Sequence, residues 1–243
     1  ADVPASAYVQ DGLVAQWDGI ENAGAGRHAD APTSWVNLKD ELSPMSLSGD
    51  YAWDGDGVYF NKTTTTGVGL FTAPAMPNAT GRTVETAACL EDAQSAGRIF
   101  GENYLPSIYL NNLSFAFWCN GGTTGSSVCG RNVFDPIGHF STYGISVNIA
   151  TKYTVAHFDG ARYTATTTTC VPTYKTALAN CGLANNSAKS KWTRGTFYGL
   201  RIYDRELSDA EIAFNANIDK IRFEQADPAT LTWPDGYKYE DGK

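Results

Sequence analysis

The stretch YGISVNIATKYTVAHFDGARYTATTTT, residues 143–169, carries the clearest pattern in the chain. Ile145, Val147 and Ile149 alternate with Ser146 and Asn148, the period of two that turns one face of a strand to a core and the other to polar surroundings. Two further β-branched and aromatic runs follow, KYTVAHF (152–158) and ARYTATTTT (161–169), joined by Asp159-Gly160. An Asp-Gly pair between such runs signals a hairpin, because a tight primed turn needs positive φ at both central residues and Gly adopts it without steric cost. A meander of antiparallel strands is therefore expected.

Runs of the same kind extend to both sides. Upstream lie GLVAQW (12–17), GVYF (57–60), GVGLFT (67–72), RTVETA (82–87), SIYL (107–110) and SFAFWC (114–119), and downstream lies TFYGLRIY (196–203). Short strands separated by turn residues, without helices alternating between them, argue against a βαβ architecture. They predict an all-β fold, an antiparallel sandwich or jelly roll forming one domain over residues 1–223. One short C-terminal helix is expected after Ser208, because S-D-A-E places a hydroxyl on the orphan amides and Glu211 three residues later, a capping box. Ile212, Ala216, Ile218 and Ile221 broadly keep a helical stripe that would lie against the sandwich. From 224 to 243 the periodicity disappears, which reads as a tail or linker with Trp233 and Tyr237 as rings able to pin it back.

Composition narrows the function classes. The 243 residues include 18 Lys+Arg against 26 Asp+Glu, a net charge of −8, with 12% aromatics and only 18% charged residues. Nucleic acid is excluded as a partner, since phosphate neutralisation needs a basic face. No apolar run approaches the ~18 residues of a membrane span, so no membrane insertion is expected. The chain begins at Ala1, which suits a secreted, extracellular or cell-surface product whose signal peptide has been removed. The cysteines Cys119 and Cys129, and Cys170 and Cys181, are spaced as two local disulfides closing Gly/Thr/Ser-rich loops, with Cys89 left as a buried thiol. The competing reading is five reduced core cysteines.

Catalytic motifs are missing. No strand carries the alternating carboxylates of a retaining glycosidase, and Glu206, Asp209 and Glu211 read as helix-start caps. There is no G-x-S-x-G, H-E-x-x-H or Walker sequence, and His28, His139 and His157 are widely separated. A non-enzyme is expected. Two acidic loops, 17–22 and 50–57, lack the terminal glutamate of an EF-hand. A structural calcium ion assembled from distant loops stands beside the plainer reading of Asp-Gly turns.

GLVAQWDGIENAG (12–24), SWVNLKD (34–40), GVYFNKTTTTGVGLF (57–71), RTVETAACLED (82–92) and above all FYGLRIYDRELSDAEIAFNANIDKIRF (197–223) resemble the laminin G-like, concanavalin A-like lectin/glucanase domains of bacterial surface and secreted proteins. The resemblance spans Gly12 to Phe223, and its most specific part, from Arg201 through Arg205 to Glu211 and Ile212, mostly reports fold. The cysteine-bearing segments at 119–129 and 170–181 depart from the family pattern, and the glucanase carboxylates are lacking. The resemblance therefore implies a binding or adhesion module.

Sugars are held by flat rings stacking on C–H faces and by fixed polar groups reading hydroxyls. Three stretches offer that mixture: Trp53 and Asp54 within 50–57; Asn103 and Tyr104 with Tyr109 and Asn111; and Asp135, His139 and Tyr143 in the loop after Cys129. The leading expectation is a noncatalytic, lectin-like carbohydrate-binding module with a glycan or polysaccharide as partner. A protein-interaction or adhesion domain of a surface assembly is the alternative, and a glycoside hydrolase or lyase the third.

Overall fold

The computed structural model describes residues 3–61, 66–94, 96–102, 105–111, 114–118, 127–130, 135, 137–151, 153–167, 177–186 and 188–239. Its strands in chain order are β1 (Leu13–Asp18), β2 (Ser34–Trp35), β3 (Met45–Ser48), β4 (Tyr51–Asp54), β5 (Gly57–Phe60), β6 (Val68–Ala73), β7 (Gly81–Ala93) and β8 (Gly97–Glu102). There follow β9 (Leu105–Asn111), β10 (Ser114–Trp118), β11 (Ser127–Gly130), β12 (Phe140–Asn148), β13 (Tyr153–Phe158), β14 (Ala161–Thr167), β15 (Leu178–Leu183) and β16 (Thr193–Tyr203). Helix α1 spans Asp209–Glu224.

The strands form two antiparallel sheets packed as a sandwich. One runs β14-β13-β12-β7-β16-β5-β4, with β1 added along β16; the other runs β11-β10-β9-β8-β15-β6-β3-β2. Alternation explains the core. Val84, Ile145, Phe158, Leu200 and Ile202 of the first sheet share one cluster with Phe71, Ile99, Phe100, Ile108 and Leu183 of the second. Burying each such side chain stabilises by about 1.5–3 kcal/mol. The expected hairpin forms as read: Phe158 pairs Ala161 across Asp159 and Gly160, whose φ angles of 49° and 79° are those of a primed turn.

The outer face of the first sheet is where the alternating pattern misleads. Ser146, polar and outward on β12, is fully buried, because the α1 segment and the loop leading into it lie over that face. The capping box is present: Glu211 N–H donates to Ser208 Oγ and Ser208 N–H donates to Glu211 Oε2 at 2.8 Å. The helix ends at Gln225 in the left-handed conformation, with its N–H on the Lys220 carbonyl. Ile212, Ala216 and Ile218 are buried as expected, yet so are Asn215, Asp219 and Arg222.

Those three polar residues meet a polar sheet. Arg201 Nη1 and Nη2 donate to Asp219 Oδ1 and Oδ2 at 2.8 and 2.7 Å, and Arg201 Nε donates to Glu85 Oε2 at 3.3 Å. Asn215 Nδ2 donates to Glu85 Oε2 and to Tyr203 OH, while its Oδ1 accepts from Val9 N–H. Tyr8 OH donates to Asp219 Oδ1, and the Arg201 guanidinium lies 4.0 Å over the Tyr8 ring. Arg222 Nη2 donates to Asp18 Oδ1, which also accepts from the backbone of Ile20 and Glu21, and Arg222 Nη1 donates to the Val3 carbonyl. Helix and N-terminal segment are thus fastened to the sheet through buried hydrogen bonds, with Arg222 Nε left unmatched among the described residues. Beyond α1, Trp233 and Tyr237 pack on Phe214 with centroids at 5.7 and 5.3 Å, docking the tail onto the helix.

Candidate ligand-binding cleft

Strand register places one polar row across the outer face of the first sheet: Gln16, Arg201, Glu85, Gly144, His157 and Arg162 are successive cross-strand partners. Helix α1 seals the Arg201–Glu85 end. At the other end the β13–β14 hairpin and the loop from β16 into α1 flank an open cleft of about 390 Å³. Val155 and His157 of β13 and Arg162 of β14 form one wall; Glu206, Leu207, Ser208 and Asp209 form the other.

The loop wall is held in place from beneath. Thr83 Oγ1 donates to the Arg205 carbonyl, accepts from Leu207 N–H, and lies 3.0 Å from Ser146 Oγ. Arg205 in turn forms a bidentate pair with Glu211, at 2.6 Å for Nη2–Oε1 and 3.0 Å for Nη1–Oε2. These strand-anchored contacts give the cleft a rigid frame.

His157 is 2% exposed, and neither ring nitrogen has a hydrogen-bond partner among the described residues. Burial lowers its pKa to about 4, with Asp209 opposing and Arg162 reinforcing the shift. The ring is therefore neutral at pH 7, and both of its nitrogens are closed to solvent. Leaving such groups unmatched costs about 1–3 kcal/mol. At the mouth, Arg162 Nη1 lies 3.4 Å from both carboxylate oxygens of Asp209, and Glu206 Oε2 accepts from Asn148 Nδ2 at 2.9 Å.

The described residues among those singled out from sequence as ligand contacts fall on β4, β9, β12 and the segment before β12. Trp53 faces inward at the β4 edge, its ring 5.4 Å from Trp35 in an edge-on contact and its Nε1 donating to the Pro32 carbonyl. Asp54 is exposed at the β4–β5 turn. Tyr143 corrects the expectation of a ligand-contacting ring: it is 1% exposed in the sandwich core, because β12 turns it inward with Ile145. Tyr109 is likewise buried, beneath the Arg98 guanidinium at 4.7 Å. Asp135 and His139 are exposed, and Asp135 Oδ1 accepts from Ile137 N–H. Asn103 and Tyr104 lie outside the described residues, as do Cys119 and Cys170, one half of each expected disulfide. Cys129 is on β11, Cys181 is buried on β15, and Cys89 is a half-buried free thiol.

Of the two acidic loops, the first is consumed by Asp18 binding Arg222. No group of three or more His, Cys, Asp or Glu able to hold a metal occurs among the described residues. His157 sat unmarked inside KYTVAHF, since an outward histidine on a strand is ordinarily solvated. Only the loop folded over it makes it a buried, unmatched group.

Neither a protein-family model nor a curated protein matches the sequence. Solved structures do match the fold. Trypanosoma rangeli sialidase in complex with sialic acid is similar with a TM-score of 0.60 at 14% identity, over 87% of this chain and 34% of that one. The binding domain of botulinum neurotoxin DC, in complex with rat synaptotagmin II, is similar with a TM-score of 0.60 at 10% identity, over 85% of this chain and 51% of that one. The chain thus spans about a third to a half of the structures it matches. These neighbours are β-sandwich folds of the concanavalin-like kind, and at such identities the likeness is one of fold.

Proposed function

We propose that this chain is a noncatalytic glycan-binding module of a secreted or cell-surface protein, and that the His157 cleft is its binding site. One observation carries the reading: a polar cleft built on strands, lined by His157, Arg162, Glu206, Ser208 and Asp209 beside apolar Val155 and Leu207. A concave site with few convergent polar groups and a shifted titratable residue is the usual form of a small-ligand pocket. A similar sandwich makes up about a third of a sialidase solved in complex with sialic acid, which makes a glycan the ligand class to test.

The noncatalytic part rests on the carboxylates. Asp209 is paired with Arg162, and Glu206 is bonded by Asn148. The carboxyl raised most clearly toward neutrality is Glu85, which burial pushes to about 7, but it is enclosed with Arg201 and Asn215 beneath α1. A glycosidase acid must reach the bond it protonates.

The test is a glycan array followed by titration calorimetry, comparing the wild type with His157→Phe. Binding that weakens at least tenfold in the variant, with no reducing ends released, supports the reading. Absence of binding to every glycan sinks it. Adhesion to a surface protein is the second reading, favoured by the half-buried cluster of Phe140, Tyr198 and Phe223, whose ring centroids lie 5.2–6.5 Å apart.

A further inference from the structure

Resting on the second reading, adhesion to a surface protein, we infer that the part of the first sheet beyond the C-terminal end of α1 docks a basic, arginine-bearing segment of a partner protein. This face is separate from the His157 cleft. Strand register builds it: Ala52, Tyr59, Thr196, Cys89 and Phe140 are successive cross-strand partners on β4, β5, β16, β7 and β12. All five are half-buried or exposed, while the neighbours turned to the other side, Val58, Phe197, Ala88 and Ser141, are fully buried. At the usual spacing between strands the row is roughly 19 Å wide. That breadth suits a protein segment better than a small ligand, which needs a concave pocket.

The centre of the face is aromatic. Gly57 makes room for Tyr198 over β5, since a Cβ there would lie 3.0 Å from both Cδ1 and Cε1 of the ring. Phe140 reaches Tyr198 from the other side, past the small Cys89, with ring centroids 5.4 Å apart. Phe223, in the last turn of α1, completes the group at 5.2 Å from Tyr198. The three rings brace one another, and each stays partly open to solvent.

The surrounding charge fixes the sign of the partner. Asp54 and Asp56 in the β4–β5 turn, Glu91 on β7 and Glu224 at the end of α1 are all exposed. Burial, Cys89 and then the carboxylates of Asp54, Glu224 and Asp56 all raise the pKa of the Tyr198 hydroxyl. The facing cations are already engaged. Arg194 Nε lies 3.1 Å from Glu91, which also accepts from Tyr59 OH at 2.9 Å, and Lys220 sits close enough to Glu224 and Asp159 to lower both. The last carbonyls of α1 add the partial negative charge of a helix C-terminus. A guanidinium matches both features, since its plane stacks on an aromatic ring while its edge forks onto a carboxylate. Arg201 makes that double contact inside this chain, over Tyr8 at 4.0 Å and onto Asp219.

The experiment titrates the full chain, labelled with nitrogen-15, at pH 7 and low salt with short Gly/Ser peptides bearing arginine at alternate positions. Matching peptides bearing lysine, leucine or glutamate form the other arms. The arginine peptide is expected to move the amide resonances of 52–59, 89–91, 140, 194–198 and 220–224 above all others, and to bind about threefold tighter than the lysine peptide. Tyr198→Leu should weaken it about fivefold. Glu224→Gln, at an exposed helix end where folding is not at stake, should weaken it about threefold. Equal affinity for the lysine peptide overturns the choice of arginine. Tighter binding of the leucine or glutamate peptide at the same resonances overturns the basic partner and leaves adhesion at this face standing. Arginine-peptide shifts centred elsewhere, or unaltered by Glu224→Gln and Tyr198→Leu, overturn the assignment to this face. Absence of shifts with every peptide overturns the adhesion reading of the ring cluster as well.

Discussion

Arg201 and Asp219 form a two-point ion pair, at 2.8 and 2.7 Å, with their side chains 3% and 0% exposed between sheet and helix. The pair joins the strand that organises the first sheet to the helix that covers it, and Tyr8 and Glu85 complete its hydrogen bonding. Its value to stability depends on its being whole.

Asp219→Ala is expected to lower stability by about 3–5 kcal/mol, because it strands a buried guanidinium beside a carboxyl that burial holds partly protonated. The exposed pair Arg27–Glu41 is the control, with side chains 59% and 62% exposed; Glu41→Ala should cost less than about 1 kcal/mol. Urea denaturation of both variants gives the comparison. Equal losses would contradict the role assigned to burial.

Two buried groups drive stability in opposite directions with pH. Glu85 is raised by burial from 4.5 to about 7. Its folded form holds a proton the unfolded chain releases, so its contribution is complete below 4.5 and is lost as pH rises through 7. His157 is lowered by burial from 6.5 to about 4. Its contribution is complete above 6.5 and is lost as pH falls through 4, where the unfolded chain takes up the proton first. At about 1.4 kcal/mol per pH unit separating folded and unfolded values, each amounts to roughly 3 kcal/mol. Between 4.5 and 6.5 the two slopes offset each other. Glu85→Gln should therefore leave stability rising with pH across that window, and His157→Gln should leave it falling. Thermal melts in a pH series resolve the slopes; parallel profiles for the two variants would refute the assignment.

Trp53→Ala is expected to act on stability and not on ligand binding. It removes the edge-on contact with Trp35 and the bond from Nε1 to the Pro32 carbonyl at 2.8 Å, a loss of about 2 kcal/mol for a half-buried ring. Glycan affinity per folded molecule should be unchanged. A selective loss of binding at intact stability would restore Trp53 as a ligand contact.

Gly160→Ala tests the seating of the β13–β14 hairpin. Gly160 has φ of 79°, and an added Cβ would lie 3.0 Å from Ala213 Cα and 3.2 Å from Ala216 Cβ on α1. Backbone strain and the helix contact together predict about 1–2 kcal/mol of destabilisation. Because the hairpin is one wall of the cleft, ligand affinity should fall as well. Denaturation and calorimetry on one preparation check both.

The strand pattern was legible because a core between two sheets demands period two, and Ile145, Val147, Leu200 and Ile202 obey it. The hairpin turn and the capping box were legible because each is a local contract between neighbouring residues. The buried face of α1 was not. Asn215, Asp219 and Arg222 carry no apolar signature, and their burial depends on Arg201, Glu85 and Asp18 being supplied by strands up to 204 residues away in the chain. The burial of Tyr143 was hidden for a related reason: sequence shows that Tyr143 is aromatic, while the pleat decides which side of the sheet receives it.

By itself the amino-acid sequence determined the class of fold and the position and cap of the helix that follows Ser208, since each follows from local periodicity or local hydrogen bonding. Only the tertiary structure decided where chemistry resides. The row from Gln16 to Arg162 is assembled from β1, β16, β7, β12, β13 and β14, and no property of any one of those segments predicts its neighbours. The helix closes one end of that row and leaves His157 at the other, buried and unmatched, because a helix of fixed length covers only part of a wide sheet.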